Sequence, residues 1–257
     1  MREGGAAAAA GAAEGAEAAG GVRDRARERA PGGPPRSQHA TEPRAARNRS
    51  DAPGFTPPRW LRPLLFVASL LPFLWIAGAL ASDWLNGTRL LGSNPIEEIE
   101  HFTGKWALAF LALSLAVTPA RRVFAANWLA RYRRTFGLFA FFYAAVHLLV
   151  YFVLDLELFW GELWEDIVER PYITIGMTAF VLLVPLALTS TKGAIRRLGK
   201  RWTALHRLAY VVPVLGLVHF FMAVKRDITQ PLVFAVVFAL LLGWRVARSR
   251  AGRARPA

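Results

Sequence analysis

Cysteine is absent from the 257 residues. That excludes a disulfide framework, a thiol nucleophile, a cysteine-ligated iron–sulfur cluster and covalent c-type haem attachment through CxxCH. Methionine occurs three times and histidine five. Any metal or prosthetic group must therefore be held by His, carboxylate or very few thioethers. Acidic residues are also scarce, 18 Asp and Glu against 32 Lys and Arg, for a formal net charge of +14. No GxGxxG fingerprint opening a Rossmann unit is present, which argues against a nicotinamide-binding domain.

What the chain has in abundance is apolar residues, 54% of the total. Soluble domains rarely combine that figure with so large a basic excess, whereas membrane proteins with basic flanks do so routinely. A nucleic-acid partner is not expected, because Arg and Lys fall in short clusters between apolar segments and not along one face. Residues 1–58 are rich in Ala, Gly, Arg and Pro, with runs such as AAAAAGAAEGAEAAGG. Such a composition builds no packed core and predicts a disordered cytoplasmic tail. It lacks the apolar core and cleavage context of a signal peptide. His39 lies in this tail and is expected to be solvated and without function.

Six apolar segments follow, at approximately 63–82, 103–120, 136–154, 172–190, 204–224 and 231–247. Each approaches the roughly 20 residues a helical span requires. The expected fold is all-α, a six-helix transmembrane bundle occupying 59–248, with a basic tail at 249–257. The connections alternate in charge. The first carries Asp83, Glu97, Glu98 and Glu100, and the third Asp155, Glu157, Glu162, Glu165, Asp166 and Glu169. The second carries Arg121, Arg122, Arg131, Arg133 and Arg134, and the fourth Lys192, Arg196, Arg197, Lys200 and Arg201, both without an acid. The positive-inside rule then places both termini in the cytoplasm. Trp60, Trp84, Trp106, Trp160, Trp164, Trp202 and Trp244 fall near proposed span ends, where interfacial indoles are expected. The acidic third connection, 155–170, is a candidate contact surface on the periplasmic side.

Ionisable side chains inside a membrane are costly, so His147, His206 and His219 each demand explanation. A hydrogen bond to a neighbouring helix is the bland one. Depth suggests more. His147 lies past the midpoint of the third span, and His219 lies 13 residues beyond His206 on the fifth, about 20 Å further along. His147 and His219 thus reach one level near the periplasmic side, as two ligands of one b-type haem iron would. His206, near the cytoplasmic side, has no histidine partner at its depth; the corresponding position on the third span is Arg134. Thirteen residues leave His206 and His219 on different faces of an ideal helix; Pro213 between them either kinks the helix and alters its local phase or is an ordinary membrane proline. Arg131, Arg133 and Arg134 serve topology equally well as they would bind haem propionates, a flavin phosphate or a quinone head group. His101 opens the second span and is expected to be no ligand.

Several stretches together carry a resemblance: LLPFLW, HFTGKWAL (101–108), RYRRTFGL (131–138) with AAVHL (144–148), RPYITIG (170–176), TSTKGAIRRLGKRWTALHRLAY (189–210) and VHFFMAVK (218–225). They resemble the MsrQ family, formerly called YedZ, within the ferric-reductase-like transmembrane superfamily. The similarity covers roughly 60–250, and LGKRWTALHRLAY is its most specific part. The resemblance implies an inner-membrane cytochrome subunit that takes electrons from the respiratory quinone pool. It would pass them to a periplasmic molybdenum-cofactor subunit, MsrP, which reduces methionine sulfoxide in oxidised envelope proteins. It implies b-type haem (heme b) and FMN as cofactors, with His147, His206 and His219 as iron ligands. No flavin or nicotinamide domain is evident after the sixth segment, so the electron donor is expected to be a quinone or a separate reductase. Two other classes remain open from the residues: a ferric reductase with another acceptor, and a transporter whose histidines bind metal or relay protons.

Overall fold

The computed structural model describes residues 57–224 and 227–253, and among these every regular element is helical. The tail expected over 1–58 therefore lies outside the described residues, apart from Pro57 and Pro58, as do His39, Lys225 and Arg226. Six stretches are long and apolar enough to cross a membrane: Leu61–Asn86, Pro95–Val123, Asn127–Asp155, Pro171–Leu188, Lys200–Ala223 and Thr229–Ala251. These are the six segments expected from hydropathy, with ends shifted by up to nine residues; the fourth stops at Leu188, two residues short of the expected end.

Helix α1 (Leu61–Asn86) ends at Gly87, whose φ of +63° supplies the left-handed turn that stops it. The Asp83 carboxylate then accepts from the Leu90 and Leu91 amides at 2.8 and 3.0 Å, fixing the loop. Helix α2 (Pro95–Val123) opens with Asn94 accepting from the Glu97 amide, Pro95 in the first turn, and Glu97 and Glu98 against the positive end of the helix dipole. It closes on Arg121 and Arg122 at the negative end. A 3-10 turn (Asn127–Tyr132) leads into α3 (Arg133–Val150), which continues as a π-helical turn (Tyr151–Asp155).

The third connection is more ordered than a loop. It contains α4 (Trp160–Glu169), a ten-residue helix with three edges. Asp166 is buried against the bundle, Trp160, Trp164 and Val168 are exposed, and Glu162, Glu165 and Glu169 are exposed on the opposite side. The Tyr151 hydroxyl donates to Asp166, and Arg170 Nε pairs with the same carboxylate at 2.9 Å. Helix α5 (Pro171–Leu188) follows, then short α6 (Lys192–Leu198) and α7 (Lys200–Leu205).

The fifth span is broken. After α7 comes a 3-10 run, His206–Tyr210, before α8 (Val212–Ala223). Pro213 sits at the start of α8 instead of kinking a continuous helix, because proline is readily accommodated in a first turn. The phase change expected from Pro213 comes from the 3-10 run. Thirteen α-helical steps leave two side chains about 220° apart; turning five of them at three residues per turn adds about 100°, which brings His206 and His219 within about 40° of one face. Helix α9 (Thr229–Arg253) completes the bundle and runs on into the basic stretch beyond residue 248. Ahead of it, Asp227 accepts from the Thr229 amide at 2.9 Å, and the Thr229 hydroxyl and amide hydrogen bonds hold its carboxyl below the usual range.

The core is formed by Leu108, Phe110 and Leu115 of α2, Phe139 and Tyr143 of α3, Leu183 of α5, Val212 of α8 and Phe238 of α9. Lipid removes most of the hydrophobic drive for helix association, so dense packing and hydrogen bonds must hold these helices together. An example is Tyr143, fully buried and stacked on Phe110 at 5.3 Å. Its hydroxyl donates to the Ser69 carbonyl at 2.8 Å and accepts from the Phe73 amide at 3.1 Å. Those two backbone groups are an i, i+4 pair of α1, so the hydroxyl bridges the ladder beside Pro72. Phe66, Leu71 and Trp75 of α1, and Val233, Val236 and Leu240 of α9, face outward.

Candidate functional site

Helices α3 and α8 each bring one histidine to the centre of the site. The rings of His147 and His219 have centroids 6.1 Å apart and planes inclined at 77°. Each ring is fixed by a carbonyl on a different helix. His147 Nδ1 donates to the Glu100 carbonyl of α2 at 3.0 Å. His219 Nδ1 donates to the Tyr172 carbonyl of α5 at 2.7 Å. A carbonyl can only accept, so the proton of each neutral ring sits on Nδ1 and the Nε2 lone pair is left available. Such a hydrogen bond from the far ring nitrogen holds a metal-ligating imidazole in one tautomer and orientation.

The spacing suits a shared iron. An imidazole nitrogen lies about 2.0–2.1 Å from a first-row metal and roughly 1.1 Å from its own ring centre, so two rings on opposite sides of one ion have centroids about 6 Å apart. Two further features fit a haem at this level. Glycines, Gly104 of α2 and Gly176 of α5, lie against the two imidazoles. Glu100 Oε1 is buried without a hydrogen-bond partner. His101, next to Glu100 on α2, is not one of the pair. Among the described residues no three His, Asp or Glu side chains converge on a metal-sized site, as a closed tetrahedral centre would require.

His206 lies apart from this pair, at the end of the bundle that carries the arginines. Its Nδ1 donates to the Trp202 carbonyl at 3.1 Å, and its ring stacks on Trp202 at 3.9 Å. Trp202 is itself anchored by its indole N–H to the Thr189 carbonyl at 3.0 Å. The Leu186 backbone is a second hydrogen-bond partner of this ring. Arg133 is close enough to bear electrostatically on His206, while Arg134 is exposed. Arg131 donates to the Trp128 carbonyl at 3.1 Å.

Arg245, near the end of the sixth apolar segment, was not singled out by the sequence. It is half-buried, donates to the Tyr210 hydroxyl and, at 2.7 Å, to Thr118 Oγ1, and lies 4.7 Å from the Tyr210 ring centre. Arg133 and Arg122 are its charged neighbours, and no carboxylate pairs with it among the described residues. The neighbouring Trp244 Nε1 is buried without a partner. The basic end thus offers a guanidinium cluster beside an imidazole, with no carboxylate ion-paired to it among the described residues.

The model of the ferric reductase like transmembrane component family matches residues 103–217, which include His147 and His206 and end two residues before His219. A protein from Xanthomonas euvesicatoria pv. vesicatoria, named protein-methionine-sulfoxide reductase heme-binding subunit MsrQ, is 46% identical over 190 residues, 74% of this chain and 87% of its own length. A protein of the same name from Rhodospirillum rubrum is 51% identical over 195 residues, 74% of this chain and 91% of its own.

The chain belongs to the MsrQ family. It is accordingly a multi-pass membrane protein of the ferric-reductase-like superfamily, as its six apolar helices require. Other MsrQ proteins reach 52% identity, as in Xanthomonas campestris pv. campestris over 167 residues, 65% of this chain and 77% of that one.

Proposed function

We propose that this chain is the haem-carrying electron-transfer subunit of a methionine sulfoxide reductase system in the bacterial inner membrane. His147 and His219 would together hold one b-type haem through Nε2. The observation that carries this is the facing imidazole pair, each ring tied at Nδ1 to a carbonyl, in a chain whose relatives are named as heme-binding subunits. When bound, the haem supplies one-electron redox chemistry. The protein's residues do the rest: Glu100 and Tyr172 orient the ligands through their carbonyls, and the packed helices keep water away.

With both termini in the cytoplasm, His206 and the arginines face that side and the His147–His219 pair lies toward the periplasm. Electrons then enter at the basic end from a respiratory quinone and leave at the acidic end, near α4, to a separate periplasmic molybdenum-containing subunit, MsrP, which repairs oxidised methionine. His206 serves a second cofactor site. A haem propionate, an FMN phosphate and a quinone oxygen are all acceptors suited to Arg133 and Arg245; Arg134, exposed, is a weaker candidate. A metal-transporting role gains nothing from the geometry, since no third ligand joins the histidine pair among the described residues.

Two measurements test this function. A reduced-minus-oxidised absorption spectrum of the purified chain shows b-type haem bands. Mixing with the molybdenum subunit gives quinol-dependent reduction of methionine sulfoxide. Haem without the second activity would leave a ferric-reductase type of cytochrome with a different acceptor.

A further inference from the structure

The two histidines are seated by the same local device. The carbonyl that His147 uses belongs to Glu100, and Gly104 is four residues on; the carbonyl that His219 uses belongs to Tyr172, and Gly176 is four residues on. In a helix, the N–H of residue i+4 is the regular partner of carbonyl i. Each imidazole thus reaches into the ladder of a neighbouring helix at the turn where a side chain is missing.

The two glycines are not equivalent. A Cβ at Gly104 would stand 3.4 Å from His147 Nδ1 and 3.5 Å from its Cε1, ordinary contacts. A Cβ at Gly176 would stand 2.7 Å from His219 Nδ1, 2.9 Å from Cε1 and 3.1 Å from Cγ. All three atoms belong to the rigid imidazole ring, and not to the tip of a flexible chain. The ring cannot keep its hydrogen bond to Tyr172 if that space is filled. The three nearest atoms are all His219, so the missing Cβ at 176 makes room for this ring.

We propose that Gly176 is a positioning residue for His219: its bare Cα lets the imidazole lie on α5 and donate Nδ1–H to Tyr172, which aims Nε2 across the site toward His147. This rests on the proposed ligation of haem by His219. Gly104 holds the equivalent place for His147 with room to spare, so one methyl group distinguishes the two.

The test compares Gly176→Ala, Gly104→Ala and Gly243→Ala in the full chain; a Cβ at Gly243 meets nothing within 4 Å. Haem content and the low-spin ferric paramagnetic resonance signal are read for each. Gly176→Ala is expected to lose haem severalfold or to change that signal, Gly104→Ala to do so less, and Gly243→Ala to keep both. A native signal and native haem content in Gly176→Ala would overturn the proposal. Because Gly176→Ala could also impair folding, its effect on the melting midpoint is measured again in a His219→Ala background. If the cause is the clash with His219, the midpoint drop seen with His219 present disappears without it. An equal drop in both backgrounds would assign Gly176 to helix packing and overturn the positioning role. A wild-type chain without haem would sink the haem function instead, and the midpoint comparison would still decide whether Gly176 seats His219.

Discussion

His147 and His219 face each other with ring planes 77° apart, each locked by a carbonyl on a helix other than its own. If both rings were to bind one ferric iron with their planes nearly perpendicular, its d-orbitals would lie close in energy. The oxidised protein is therefore expected to give the strongly anisotropic type of low-spin resonance signal, with one very large g value. A conventional rhombic signal, typical of parallel rings, would mean that one ring turns when haem binds.

Tyr143→Phe removes a hydroxyl that satisfies two backbone groups of α1, the Ser69 carbonyl and the Phe73 amide. Leaving buried polar groups unpaired costs about 1–3 kcal/mol. The variant should melt lower by an amount of that order, with amide exchange faster in α1 near Pro72. Unchanged exchange there would show that α1 closes its own ladder once the hydroxyl has gone.

Much of this was legible from composition and spacing. Six apolar runs of about 20 residues read as helices in lipid, because only a helix or a closed barrel satisfies the backbone there and barrel strands are about half as long. Counting residues from span ends placed His147 and His219 at one depth. What counting gives is height; it does not give azimuth. The 3-10 run His206–Tyr210, which sets the phase of the fifth span, has no proline or glycine to announce it. Helix α4 was hidden for another reason: ten residues, four of them acidic, are too short to be stable alone, and Asp166 with Tyr151 and Arg170 holds it in place. Arg245 was concealed among the charges of the C-terminal segment, where topology explains an arginine equally well.

Arg245→Gln removes the charge from the basic end while keeping a donor. Loss of a charge-assisted hydrogen bond is worth about 1.5–3 kcal/mol, so quinol oxidation should slow by roughly ten- to a hundredfold. The resonance signal of the His147–His219 haem should stay native. Arg245→Lys should not rescue fully, since an ammonium lacks the fork that reaches Tyr210 and Thr118 together. Wild-type quinol kinetics in Arg245→Gln would remove Arg245 from the donor site.

Asp166→Asn weakens both the Tyr151 hydrogen bond and the Arg170 ion pair. Breaking a partly buried pair of this kind should cost about 1–3 kcal/mol locally. Protease should then cut within 156–170 faster than in the wild type, and haem content should hold. Equal cleavage rates would show that α4 is held by its apolar contacts alone.

Haem content per chain, measured with the reduced-minus-oxidised spectrum for the wild type and for His147→Ala, His219→Ala and His206→Ala, tests the shared ligation most directly. If one iron lies between His147 and His219, each of those two substitutions removes the same haem and the same resonance signal, while His206→Ala leaves that signal intact and alters only the cofactor at the basic end. Wild-type haem content and spectrum in both His147→Ala and His219→Ala would contradict it.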